Sequence, residues 1–312
     1  TGAAFRSIAH PSWPRRKFRP ARPRLFRHAL PAAGLPELRS ALSGYLARRR
    51  GIQVDADDIL IVTGIQQGID LAARILLDPS DIAVVEEPGY RGLRRALAAH
   101  GADVRLLPVD TDGLQTDQLA HQPQARLVAV TPSHQYPTGA ELPLARRLAL
   151  LDWAERHQGY VLEDDYDGEF RHGGRPLPAL KSLDQSGRVI YLGSLSRILF
   201  PAVRLGYLVV PAALRDYFVG AKRLADRGSP AIEQRALADL IASLSPAQIL
   251  KIASGNMLTS PSCCMARRAS MRTRASASPA STRRPAMAAS RWASSATPSA
   301  RAAARRNSAL AE

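Results

Sequence analysis

Between about Leu35 and Leu244 the chain alternates short apolar runs with stretches of helical period, and this alternation restricts the fold more than any other feature. Ile59 to Val62, Ile82 to Val85, Val104 to Leu107, Leu127 to Thr131, Tyr160 to Leu162, Val189 to Leu192 and Leu205 to Val210 read as strands. Leu35 to Arg50 places Leu38, Leu42, Tyr45 and Leu46 on one helical face, and Gln66 to Leu77 does the same with Ile69, Ala72, Ala73 and Leu76. Leu93 to Ala99 and Leu144 to His157 supply further helices. Strands that are apolar on both faces and separated by helices predict an α/β fold, a mostly parallel sheet with helices on both sides.

The ends read differently. Residues 1–34 form an irregular, Arg- and Pro-rich segment, and residues 245–312 an Ala/Ser/Arg-rich tail whose sparse bulky apolar content predicts disorder. The formal charge of +16 is uneven: from Ser260 onward there are ten Arg, no Lys and one acid, Glu312, so that tail carries about +9. It could bind nucleic acid nonspecifically and with steep salt dependence, but specific DNA binding is not expected of it. The abrupt change of composition near Ser245 is also what loss of a reading frame would yield. The two cysteines, Cys263 and Cys264, are adjacent, which suits neither a disulfide framework nor a zinc site. No metal is expected. No apolar stretch is long enough to cross a membrane and no secretory leader is visible, so the expected location is the cytoplasm.

Five segments carry polar residues at strand ends. Thr63-Gly64-Ile65-Gln66-Gln67-Gly68 joins a strand to a helix, where the backbone amides of Ile65 and Gln66 can face an anion; the plainer reading is a packing turn. In Glu87-Pro88-Gly89-Tyr90 the Tyr90 ring either covers a flat ligand or staples the following helix. Thr131-Pro132-Ser133-His134-Gln135-Tyr136-Pro137-Thr138-Gly139 is a long turn signal. Glu163-Asp164-Asp165-Tyr166-Asp167 closes a strand with acids that repel unless a cation or hydrogen bonds hold them, or else forms a solvated acidic turn. Asp164 and Tyr166 are placed to project to the same side of an extended chain. Finally, Gly193-Ser194-Leu195-Ser196-Arg197 is followed by Arg204, a set of hydroxyls and a forked guanidinium suited to phosphate oxygens.

In order and approximate spacing these segments resemble those of fold-type-I, class I/II pyridoxal-phosphate-dependent aminotransferases, and most of all the aminotransferase-like domain of MocR/GntR-type transcriptional regulators. The resemblance covers roughly residues 35–225. It implies pyridoxal 5′-phosphate as cofactor, with the Ile65 and Gln66 amides, Ser194, Ser196 and Arg204 on the phosphate and Tyr90 stacked on the pyridine ring. Asp164 would pair with the ring nitrogen, Tyr166 would donate to the phenolate oxygen, and His134 and Gln135 would lie near that oxygen. It further implies a large domain over residues 35–244, a homodimer, and an amino acid or amine as substrate or effector. Such regulators also carry a winged-helix domain, which would precede this chain, and such enzymes a smaller C-terminal domain that is not recognisable here.

The chain departs from the family pattern at one decisive residue. The position of the Schiff-base lysine is occupied by Arg197. A guanidinium, with a pKa of about 12 or higher, does not reach the neutral form that a nucleophile or a proton-abstracting base requires. Three readings follow: an effector-sensing domain that binds the cofactor non-covalently or not at all; a transaminase that uses another lysine; or a degraded gene product. Lys181 and Lys222, the nearest other amines in sequence, read as surface residues.

Overall fold

The computed structural model describes residues 30–167, 178–195 and 203–243. The expectations attached to Ser196 and Arg197, to residues 1–29 and to the tail at 245–312 lie outside them. The strands are β1 (Ile59–Val62), β2 (Ile82–Glu87), β3 (Asp103–Asp110), β4 (Gly113–Leu114), β5 (Ala125–Val130), β6 (Tyr160–Asp165), β7 (Val189–Ser194) and β8 (Gly206–Val209). They form one sheet in the order β1-β8-β7-β6-β5-β2-β3-β4. The pairs among β3, β2, β5, β6 and β7 are parallel, whereas β8 runs antiparallel to both of its neighbours, β1 and β7.

The helices are α1 (Pro36–Arg50), α2 (Ile65–Leu76), α3 (Arg91–Ala99), α4 (Leu144–Arg156), α5 (Leu180–Leu183), α6 (Arg215–Asp226) and α7 (Ala231–Ser243). Side-chain alternation along the strands divides the core between two faces. Leu60, Val62, Leu162, Ile190, Leu192 and Leu208 pack with α2, α3 and Phe218 of α6. On the opposite face Ile61, Tyr191 and Tyr207 pack with α1 and α7, while Val128, Val161 and Val189 pack with α4 and α5. The doubly covered sheet expected from the alternation is therefore observed.

Two boundaries bear on the site. Residues 30–34 belong to no helix or strand yet are tied to the core: the Ala33 carbonyl accepts a hydrogen bond from the Ile61 amide at 2.9 Å, and Ala32 is buried. Strand β6 also runs through Glu163, Asp164 and Asp165 instead of stopping at Leu162. Alternation sends neighbouring acids to opposite faces, so they do not crowd one side. Among the described residues no helix is long and apolar enough to cross a membrane.

Helix α2 lies close to β7 because Gly68 has no side chain; a Cβ there would stand 2.5 Å from Leu192 Cδ1. Gly68→Val is expected to destabilise the fold by about 1–3 kcal/mol by overpacking. Chemical denaturation of the full chain measures this, and a stability equal to that of the unaltered chain would contradict the packing described.

Candidate functional site

In a largely parallel sheet the strands end along one edge, and ligand-binding turns collect there. Thr63 follows β1, Pro88 to Tyr90 follow β2, Thr131 to Gly139 follow β5, Tyr166 and Asp167 follow β6, and Ser194 ends β7. The reversal of β8 places its beginning at the same edge, so Arg204 arrives there as well. Gly206 pairs with both Val62 and Ser194, and a Cβ on it would lie 3.4–3.5 Å from the backbone of Gly64.

The turn at Gly64 has φ +88°, a conformation that disfavours a side chain. The point a Cβ of Gly64 would occupy is 3.6 Å from an Arg204 guanidinium nitrogen. Arg204 itself has φ +49°. The first turn of α2 carries amides that have no acceptor within the helix, and the helix dipole adds partial positive charge. Gln67 reaches back from this turn to accept the Thr63 N–H at 2.9 Å. Ser194 pairs with Gly206 next to this turn, so the helix-start amides, the Arg204 guanidinium and Ser194 gather at one stretch of the strand edge and form a recess.

Asp164 shares the face of Leu162, towards α2, and is almost fully buried. Glu163 and Asp165 occupy the other face, each with its own partners. Glu163 accepts the amides of Leu180 and Lys181 at 2.8 and 2.7 Å. Burial, with the neighbouring Asp165 charge, pushes Glu163 up to about 7. Asp165 pairs with buried Arg50 at 2.7 Å and accepts from the Tyr191 hydroxyl, and Arg50 also donates to Ser133 Oγ at 2.7 Å. The network alternative for the acidic run is the one realised, and Arg50 supplies the cation.

Above the edge, Tyr136 stands edge-on to both Tyr90 and Tyr166, with centroids 6.2 and 6.0 Å away. Tyr166 stacks with His134 at 6.1 Å, its hydroxyl 3.1 Å from His134 Nδ1, which lies 2.7 Å from Asp167 Oδ2. Tyr90, 40 % exposed, lies back over Gly92 and donates to Gln66 Oε1 at 3.3 Å, so its ring staples the start of α3. Gln135 is 1 % exposed and turned inward: its amide nitrogen donates to Pro88 O, Tyr136 O and Glu86, and its oxygen accepts from Thr138. These bonds make Gln135 an organiser of the 131–139 loop.

Several participants were not singled out by sequence: Tyr136, Arg50, Asp167 and Glu86. Glu86 accepts the Thr131 N–H at 3.2 Å and the Thr131 hydroxyl at 2.5 Å, tying the loop to the end of β2. The two lysines are corrections. Lys222 is fully buried against Asp226, and Lys181, only 13 % exposed, pairs with Asp184 at 2.9 Å. An acid at i+4 or i+3 was the available signal for each.

Residues 21–252 match the model of the family aminotransferase class I and II. The chain belongs to this aminotransferase family. Among curated relatives, the probable rhizopine catabolism regulatory protein MocR of Rhizobium meliloti is 42% identical over 208 residues, covering 67% of this chain and 42% of that protein. The HTH-type transcriptional regulator TauR of Rhodobacter capsulatus is 46% identical over 179 residues, covering 57% of this chain and 36% of the regulator. The chain thus spans less than half the length of these curated relatives. A solved kynurenine aminotransferase of Pyrococcus horikoshii, in complex with PMP, aligns with a TM-score of 0.69 at 31% identity, over 73% of this chain and 58% of that one. Pyridoxal 5′-phosphate is the cofactor of the family. The turn fits the cofactor's phosphate, since the Arg204 guanidinium stands 3.6 Å from the point where Gly64 carries no side chain, beside the amides that open α2.

Burial raises Glu86 from 4.5 to about 7, against the bonds from Thr131 and Gln135. The folded chain therefore holds a proton that the unfolded chain releases between these values. The associated stability is present below about pH 4.5 and is lost as pH rises to about 7. Glu86→Gln is expected to flatten the fall in unfolding free energy across that window, read by urea denaturation at a series of pH values. An unaltered slope would remove Glu86 as its source.

Proposed function

We propose that residues 35–244 form an aminotransferase-like large domain of a MocR-type transcriptional regulator, which binds pyridoxal 5′-phosphate without a covalent bond and senses an amino acid or amine without turning it over. The observation that carries this reading is the Gly64–Arg204 recess at the start of α2, combined with an arginine at position 197.

In this reading the amides of Ile65 and Gln66, the hydroxyls of Ser194 and Ser196, and Arg204 hold the phosphate. Asp164, buried on the same face, keeps a proton on the ring nitrogen. Tyr90 swings from its rest over Gly92 to cover the ring, and Tyr166 donates to the phenolate oxygen, with His134 oriented beside it by Asp167. When bound, the cofactor supplies an electron sink for bonds at the substrate α-carbon. The proton at that carbon needs a base, and Arg197 cannot accept one. Lys181 and Lys222, each held in an ion pair, support the reading without turnover. The same reading includes a role in transcription regulation, which the names of the relatives carry, together with a homodimer and a cytoplasmic location.

Titration of the chain with pyridoxal phosphate, followed by borohydride reduction and mass spectrometry, tests the proposal. Reversible binding with no adduct is expected for the unaltered chain, and an adduct at position 197 for Arg197→Lys. An adduct on a lysine of the unaltered chain would establish the transaminase reading instead. Arg204→Ala is expected to weaken binding by about tenfold through loss of a charge-assisted phosphate contact. Equal affinity in that variant would remove Arg204 from the recess.

A further inference from the structure

The turn at Gly64 is braced from behind by a buried charge. Lys222 of α6 is fully buried, and its ammonium donates to the two Asp226 oxygens at 2.7 and 2.5 Å and to Ser229 Oγ at 3.2 Å. Ser229 Oγ donates in turn to the carbonyl of Ile61 in β1, at 3.5 Å. Asp226 also accepts the Gly228 amide at 2.9 Å and Gln67 Nε2 at 2.8 Å. Gln67 Oε1 then accepts the Thr63 N–H at 2.9 Å, one residue before Gly64.

The polarity of this chain of bonds determines its effect. A side-chain amide has a donor end and an acceptor end, while an ionised carboxylate only accepts. Charged Asp226 therefore fixes which end of Gln67 faces α6 and turns Oε1 towards Thr63. The Thr63 amide is satisfied within the protein, and the helix-start amides that follow remain directed at the recess. Burial opposes the charge on Lys222, which Asp226 sustains. Against its own burial, bonds from Gln67 and Lys222 hold Asp226 below the usual carboxylate range. Without Lys222 the Asp226 carboxylate loses the two bonds that fix its position, and Gln67 loses the held acceptor that orients its amide.

We propose that Lys222, acting through Asp226 and Gln67, is a positioning residue for the phosphate turn, and sets how strongly the site prefers a phosphorylated pyridine ligand over its unphosphorylated form. The inference rests on the pyridoxal-phosphate reading above. It assigns a role to a lysine that lies outside the set of ligand contacts.

Pyridoxine 5′-phosphate and pyridoxine, which lack the aldehyde and so cannot react with amines, separate the phosphate's contribution from that of the ring. Calorimetric titration of the full chain with each gives the ratio of affinities. Lys222→Met and Gln67→Leu are each expected to lower that ratio by about tenfold with little change for pyridoxine, and the double variant to lose no more than either alone, because all act on one path. If Lys222→Met fails to fold, Asp226→Asn, which keeps the shape and removes the charge, carries the same expectation. Equal losses for both ligands, additive losses in the double variant, or unchanged ratios would overturn this inference alone. An unaltered chain that binds neither compound, or binds both equally, would overturn it together with the cofactor reading.

Discussion

The close approach of two backbones, Gly206 in the reversed strand β8 and Gly64 after β1, is the contact on which the rest of the site depends. Because β8 runs against its neighbours, the residues just before it arrive where β1, β6 and β7 end. At Gly206 a side chain would press on the Gly193 carbonyl, 3.0 Å from the Cβ position, and at Gly64 it would strain the positive-φ turn beside which Arg204 lies. The sheet supplies the scaffold, and this one reversal supplies the recess. Gly68 extends the same logic one helical turn further, where its lack of a side chain lets α2 settle against Leu192.

Charge burial follows a related economy. Strand β6 takes three consecutive acids into the sheet, an arrangement that would be prohibitive if all faced one way. Alternation separates them: Glu163 is met by the amides at the start of α5, Asp165 by Arg50, and Asp164 is directed to the opposite face. The acidic run is thus also a fastening between the sheet and α1, which reaches across to Ser133 through the same guanidinium. Glu86 does a comparable task for the loop after β5, with burial leaving its proton within reach of neutral pH.

The architecture was legible because both-faced apolar strands and amphipathic helices leave periodic traces, and the strand-end turns were legible because glycine, proline and hydroxyl residues have few other reasons to cluster. What escaped the reading escaped for definite reasons. Helix α6 was not identified because its buried face is sparse, and one of its inward positions is a lysine, which pattern counts as polar. The internal bonding of Gln135 was not legible, because nothing in a linear motif says which side chains of a loop turn inward. Arg50 lies more than a hundred residues from Asp165, and a pair at that separation leaves no mark in local spacing. Tyr136 was noted only as part of a loop, although its ring links the two tyrosines expected to flank a bound cofactor.

Part of the turn at Gly64 is main chain, the amides that open α2, and these persist through most side-chain substitutions. Side-chain chemistry at one position can therefore drift while the anion-holding geometry is inherited with the fold itself. Reactivity at such a site hangs on one side chain, whereas its hold on an anion is shared among several groups and is worn down by degrees.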